Sequence, residues 1–148
     1  MLSESARMSS AAEARFRVQA PNSQPRQVKI VALDPSSQDT VRRLALASWN
    51  QATFYTAEAF TRNLAEEVAT ADLVVMVAGP GGHSDIAAQI GKACSDRRVT
   101  TTALIVGAAS TSDQDLSKTL AQLRPWSLMV VIANADDYIQ DMLTALRA

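Results

Sequence analysis

The residue types best suited to chemistry gather after one apolar run. Leu73 to Ala78 is continuously apolar, and Gly79-Pro80-Gly81-Gly82-His83-Ser84-Asp85 follows it. Beyond Asp85 the apolar residues take up helical spacing, so the stretch reads as strand, glycine turn and helix. Backbone amides at the start of such a helix point past the strand end. They make a place for an anion, such as a phosphate or a nucleotide. Gly79, Gly81, Gly82, His83 and Ser84 are therefore the candidate ligand-binding residues. A purely structural turn is the alternative. Glycines let strand and helix approach closely, and Asp85 already offers negative charge to the helix dipole.

Two familiar glycine fingerprints do not fit. A Walker loop would end in Gly-Lys-Ser/Thr, which is missing here. The dinucleotide pattern G-x-G-x-x-G has its first pair in Gly79 and Gly81, but position 84 is Ser. That pattern also belongs after the first strand of its fold. The first strand here leads into Leu33-Asp34-Pro35-Ser36-Ser37, which holds no glycine, and Pro35 removes an amide.

The other candidates are single residues near expected strand ends. Asp34 ends the first strand. A phosphorelay receiver would need an Asp where Ala78 stands and a Lys where Gly107 stands. An aspartyl phosphatase would need Asp-x-Asp, and Ser36 takes the second place. Asp34 then reads as an Asx-Pro turn and helix cap. Ser110, Thr111 and Ser112 suit either a phosphate or a cap, and Asn134, Asp136 or Asp137 would cap the last helix; Asp34, Ser110 and Asn134, on the same rim as the glycine turn, are also candidate ligand-binding residues. His83, the only histidine, could act as acid or base or lie idle on a surface loop. Cys94, the only cysteine, shares a helical face with Ala87 and Ile90 and reads as a buried, inert thiol. Eleven residues of helix separate His83 from Cys94 by about 16 Å, which excludes a Cys-His nucleophile pair. One His and one Cys so far apart make no metal site.

Composition bounds the function classes. The chain has 148 residues, 47% of them apolar, and a net charge of -1. That length fits one domain with a real core. The charge balance lacks the footprint of a nucleic-acid binder. No stretch reaches the ~20 apolar residues that a membrane span needs. One cysteine permits no internal disulfide, and the first nineteen residues do not resemble a secretory signal. The expectation is a soluble cytoplasmic protein with neither a nucleic-acid nor a membrane partner.

Residues 1–26, rich in Ser, Ala, Gln and Arg, read as a flexible N-terminal tail or a docking arm. Residues 27–148 then alternate. Strands are expected at Val28–Leu33, Ala52–Thr56, Leu73–Ala78, Val99–Val106 and Ser127–Ala133. One helix follows each: a stripe of Val41, Leu44, Ala45 and Ser48, a helix over Glu58–Ala69 with Glu66 and Glu67 facing water, and three more beyond Asp85, Ser112 and Asp137. Such alternation predicts a three-layer α/β/α, doubly wound, mostly parallel five-stranded sheet of Rossmann-like type. The uninterrupted runs VVMV, ALIV and LMVVI suit central strands buried on both faces, and ATFYT suits an edge. Right-handed crossovers gather all five strand-to-helix loops on one rim, where ligands of open α/β sheets bind. Trp49, Phe54, Tyr55 and Trp126 lie near element ends, where they either close the rim of the core or mark a subunit interface.

Glu66 to Gly82, EEVATADLVVMVAGPGG, resembles the strand and glycine loop of the FtsZ/tubulin family of GTPases. The match runs through Ala71-Asp72, Ala78-Gly79 and Gly81-Gly82 and departs from the family at His83-Ser84-Asp85. The family's other glycine loop and second domain have no counterpart. The resemblance implies a Rossmann-like topology and a nucleotide as possible cofactor. A looser similarity joins Gly82 to Asp85 to the sugar-phosphate turn of the sugar isomerase fold. Two functions follow as expectations. One is a non-catalytic binding, regulatory or assembly module, homo-oligomeric or part of a larger protein assembly, which takes a small anionic ligand at Gly79 to Ser84. The other is an enzyme, a degenerate nucleotide hydrolase or sugar-phosphate isomerase, with Asp34, His83 and Ser84 as its polar groups.

Overall fold

A computed structural model of the chain describes residues 26–81 and 84–148, without the side chains of Ser84 and Ser110. Gly82, His83 and all of the expected tail but Arg26 lie outside the described residues. The strands are β1 (Val28–Ala32), β2 (Ala52–Thr56), β3 (Leu73–Ala78), β4 (Thr100–Val106) and β5 (Met129–Ala133). The helices are α1 (Pro35–Ala45), α2 (Ala57–Arg62), α3 (Leu64–Ala69), α4 (Ser84–Asp96), α5 (Asp113–Leu123) and α6 (Asp136–Ala145).

The five strands form one sheet in the order β2-β1-β3-β4-β5, and every neighbouring pair is parallel. The Rossmann-like, three-layer α/β architecture expected from the alternation is present. Period-two alternation divides the core between the two faces. Val31, Val74, Met76, Ala103 and Ile105 meet Phe60, Val68, Ile90 and Cys94 from α2, α3 and α4. Val28, Ile30, Val75, Val77 and Leu104 meet Val41 and Leu44 of α1 and Ile139 and Leu143 of α6. All six residues of β3 are buried. That strand is the axis of the molecule, since each Val or Leu so buried contributes about 1.5–3 kcal/mol.

Several expected boundaries are corrected. The single helix over 58–69 is two, because Asn63 leaves helical geometry at φ -125°, ψ 44° and its carbonyl starts α3. In α1 only Val41 and Leu44 of the expected stripe are buried: Ala45 is exposed and Ser48 lies beyond the helix end. The last helix has Ala135 at its N-cap, with no side-chain cap from Asn134, Asp136 or Asp137. Instead, Asp136 takes a two-pronged ion pair from Arg43 of α1, at 2.6 and 3.3 Å. The largest difference is β5. Its apolar run predicts a central strand, yet it forms an edge with Met129 and Ile132 exposed. An uninterrupted apolar run shows that both faces repel water, and it does not show what lies beside the strand.

Glu67 is only partly exposed, and its carboxylate is turned to Lys29. The Lys29 side chain is buried within β1, and its Nζ donates to the Glu67 carboxylate at 3.0 Å, to the Glu67 carbonyl at 2.8 Å and to Thr70 Oγ1 at 2.5 Å. All three donors of the ammonium find acceptors, and one of them, the Glu67 carbonyl, is a backbone group left open by the last turn of α3. Tyr55 of β2 completes the cluster. Its hydroxyl pKa is pushed up to about 12, first by burial and then by the Glu67 carboxylate. Glu67 is held below the ordinary carboxylate range by the Tyr55 hydrogen bond and by Lys29.

Glu67→Ala is expected to cost about 2 kcal/mol, because it leaves a buried ammonium short of its counter-charge. The check is a lower urea midpoint with an unchanged slope. A carboxyl held low adds stability that is present above its ordinary value and lost as pH falls. Wild-type stability should therefore decline as pH drops below 4.5, the ordinary Glu value, and the decline should be shallower in the Glu67→Ala variant.

Candidate functional site

Topology places the candidate site. From β1 the chain passes through α1 to β2 at one edge, then returns to β3 and proceeds the other way. The helices after β1 and β3 therefore lie on opposite faces of the sheet, α1 on one and α4 on the other. Two neighbouring strands whose chains part in this way leave a crevice between their C-terminal ends, the usual ligand position of open α/β sheets.

Asp34 occupies that crevice. It sits at the end of β1, is 6% exposed, and caps α1 in a reciprocal box: its Oδ1 accepts from Ser37 N at 2.9 Å, and Ser37 Oγ lies 3.4 Å from Asp34 N. Pro35 suits the first helical position, where no amide is needed. The same carboxylate accepts from Ser36 Oγ at 2.9 Å and, across the crevice, from the amide of Gly79 at 3.0 Å. The ends of β1 and β3 are thus tied by one side chain. Gly79 must be glycine for this approach, since a Cβ there would lie 2.0 Å from Ser36 Oγ and 3.0 Å from Ser36 Cβ.

The next amide of the turn is also taken. Gly81, in a left-handed conformation at φ 80°, donates to Thr119 Oγ1 of α5 at 2.7 Å. Pro80 has no amide to offer. The turn is held from β1 on one side and from α5 on the other. Gly107, at the end of β4, lies alongside Pro80.

The other sequence candidates are placed unevenly. Asp34 and Gly79 meet directly, and Gly81 stands beside them. Asn134 is exposed at the end of β5, two strands and about 10 Å from the end of β3. Ser110 lies in a short 3₁₀ turn after Gly107, while Ser112 caps α5 by accepting from Asp115 N. Gly82 and His83 lie outside the described residues, and nothing is described of the Ser84 side chain. Cys94 is buried, and burial pushes its thiol pKa up to about 11, as an inert core thiol requires.

Ser36 was read from the sequence only as part of the first strand-to-helix loop, and Thr119 was not read as a site residue. Thr119 had a faint signal, a polar residue on the inward stripe of Leu116, Leu120 and Leu123. Among the described residues every buried side-chain nitrogen and oxygen has a hydrogen-bond partner, and no group of three potential metal ligands occurs. A cleft of about 340 Å³ opens at the opposite rim, between the starts of β4 and β5, beside Arg98, Trp126 and Leu128. The aromatic residues close the core rim: Trp49 packs on Phe54 at 5.8 Å, Tyr55 on Phe60 at 5.2 Å, and Trp126 lies against Gly91. No family model and no curated protein matches the chain.

Asp34→Ala is expected to cost about 3 kcal/mol, combining a lost cap with a buried, unpaired Gly79 amide. Gly79→Ala should cost about 2 kcal/mol through overpacking against Ser36. Adding Ser36→Gly should recover most of that loss. Urea unfolding of the two single variants and the double variant checks this as a coupling energy.

Proposed function

We propose that the domain is a non-catalytic binding and regulatory module, one that works through its surface as part of a protein assembly. The observation that carries this reading is the Asp34–Gly79 contact. At the switch point, where a ligand's phosphate would sit, the chain has placed its own buried carboxylate and given it the amide that the phosphate would need. A second anion there would meet like charge at close range.

A small anionic ligand, a phosphate or a nucleotide, bound at the glycine turn is the rival form of the binding-module reading. It is supported by the fall of the glycine turn at the sheet's switch point, immediately before α4. It is opposed by the prior engagement of the Gly79 and Gly81 amides. The enzyme alternative, a degenerate FtsZ/tubulin-like hydrolase or a sugar-phosphate isomerase, rests on the resemblance of Glu66 to Gly82 alone. A cytoplasmic location belongs to the proposal too, supported by the buried lone thiol. Among the described residues no helix is long and apolar enough to cross a membrane.

A melting-point screen of the full chain against inorganic phosphate, GTP, GDP and sugar phosphates tests the reading. A ligand at a hundred times its dissociation constant would raise the midpoint by about 5–10 °C. None of these compounds is expected to do so. A shift of that size that Gly81→Ala abolishes would replace the surface reading with a ligand site.

A further inference from the structure

The two edges of the sheet differ in kind. Both edge strands have five residues. At the β2 edge the exposed positions are Thr53 and Thr56. At the β5 edge they are Met129 and Ile132, 41% and 43% exposed, with Leu128 at 81% just before the strand. From Ser127 to Ala135 there is no charged residue. Edge strands that stay unpaired are blunted by charge, proline or bulges. β5 carries none of these between its ends.

The apolar exposure lies on both faces. By register, Met129 stands beside Thr102 and Ile132 beside Ile105, one on the α6 face and the other on the α5 face. A partner lying on one face would cover only one of them. A strand added to the edge covers both and also pairs the backbone groups along the outer side of β5, which has no neighbouring strand among the described residues.

Resting on the assembly reading above, we propose that the occupant is a second copy of this chain, with β5 pairing antiparallel to its own copy across a two-fold axis. Charge favours this occupant. Exposed Arg124 precedes β5, exposed Arg98 lies across the basal cleft at the start of β4, and exposed Asp137 follows β5 in sequence. Antiparallel pairing brings the acidic end of each strand to the basic end of the other. An isologous contact also requires a strand that can face itself, and a charge-free one can. Full overlap of the five residues puts the axis at Val131. Met129 then faces the partner's Ala133, a large side chain against a small one, and Val130 faces the partner's Ile132. The two sheets join into one of ten strands.

The full chain is tested by sedimentation at tens of micromolar. The expected mass is twice the 15.9 kDa of one chain. Ile132→Lys should return it to one chain with an unchanged far-ultraviolet spectrum, because a lysine would be driven against the partner's Val130. Val131→Cys should form a disulfide-linked dimer under mild oxidation, since facing Cα atoms of antiparallel strands lie about 4.5–5.5 Å apart. The only native thiol, Cys94, is buried. A monomeric wild type overturns the proposal. Slow amide exchange along β5 in that monomer would then assign the edge to residues 1–25, and fast exchange would assign it to a foreign strand. A dimer that survives Ile132→Lys and leaves Val131→Cys unlinked also overturns it. None of these results bears on the ligand screen, whose positive outcome is what defeats the surface reading.

Discussion

Where β1 and β3 send their helices to opposite faces, one buried carboxylate holds the parting chains together. Asp34 ends the first strand, starts the first helix and accepts the amide that opens the glycine turn. The crevice beyond these two strand ends is the usual ligand position of open α/β sheets. In this chain a side chain of the fold itself bridges it. Gly79 supplies the amide and the space, Ser36 fills the remainder, and Thr119 fixes the turn from the far side.

A second buried charge follows the same rule of local satisfaction. Lys29 interrupts an otherwise apolar strand, and the break of the helical segment at Asn63 is what lets α3 end over it. The carbonyl and carboxylate of Glu67, with the Thr70 hydroxyl, absorb all three donors. A buried ammonium without them would cost several kcal/mol. Lys29 and Asp34 are therefore stitches between neighbouring elements.

The surface tells the opposite story. Trp49, Phe54, Tyr55 and Trp126 turn inward at the rim, while the exposed large apolar side chains are Leu46 past α1, Leu128, Met129 and Ile132 at β5, and Tyr138 in α6. Thr53 and Thr56 are the exposed side chains of the β2 edge, whereas Met129 and Ile132 are those of the β5 edge.

The alternation of apolar runs with helical stripes was enough to specify five strands, their parallel direction and the gathering of Asp34, Gly79, Gly107 and Asn134 on one rim. These follow from local periods and from the handedness of crossovers, both of which are written in short windows of sequence. The capping role of Asp34 was readable for the same reason, since Pro35 and Ser37 lie within one turn of it. Strand order was not readable, so β5 passed for a central strand and Glu67 for a solvent-facing residue. The bond from Asp34 to Gly79 spans forty-five positions, and no local pattern records it. Contacts of that kind depend on which strands become neighbours, and that choice is made by the packing of all the layers together.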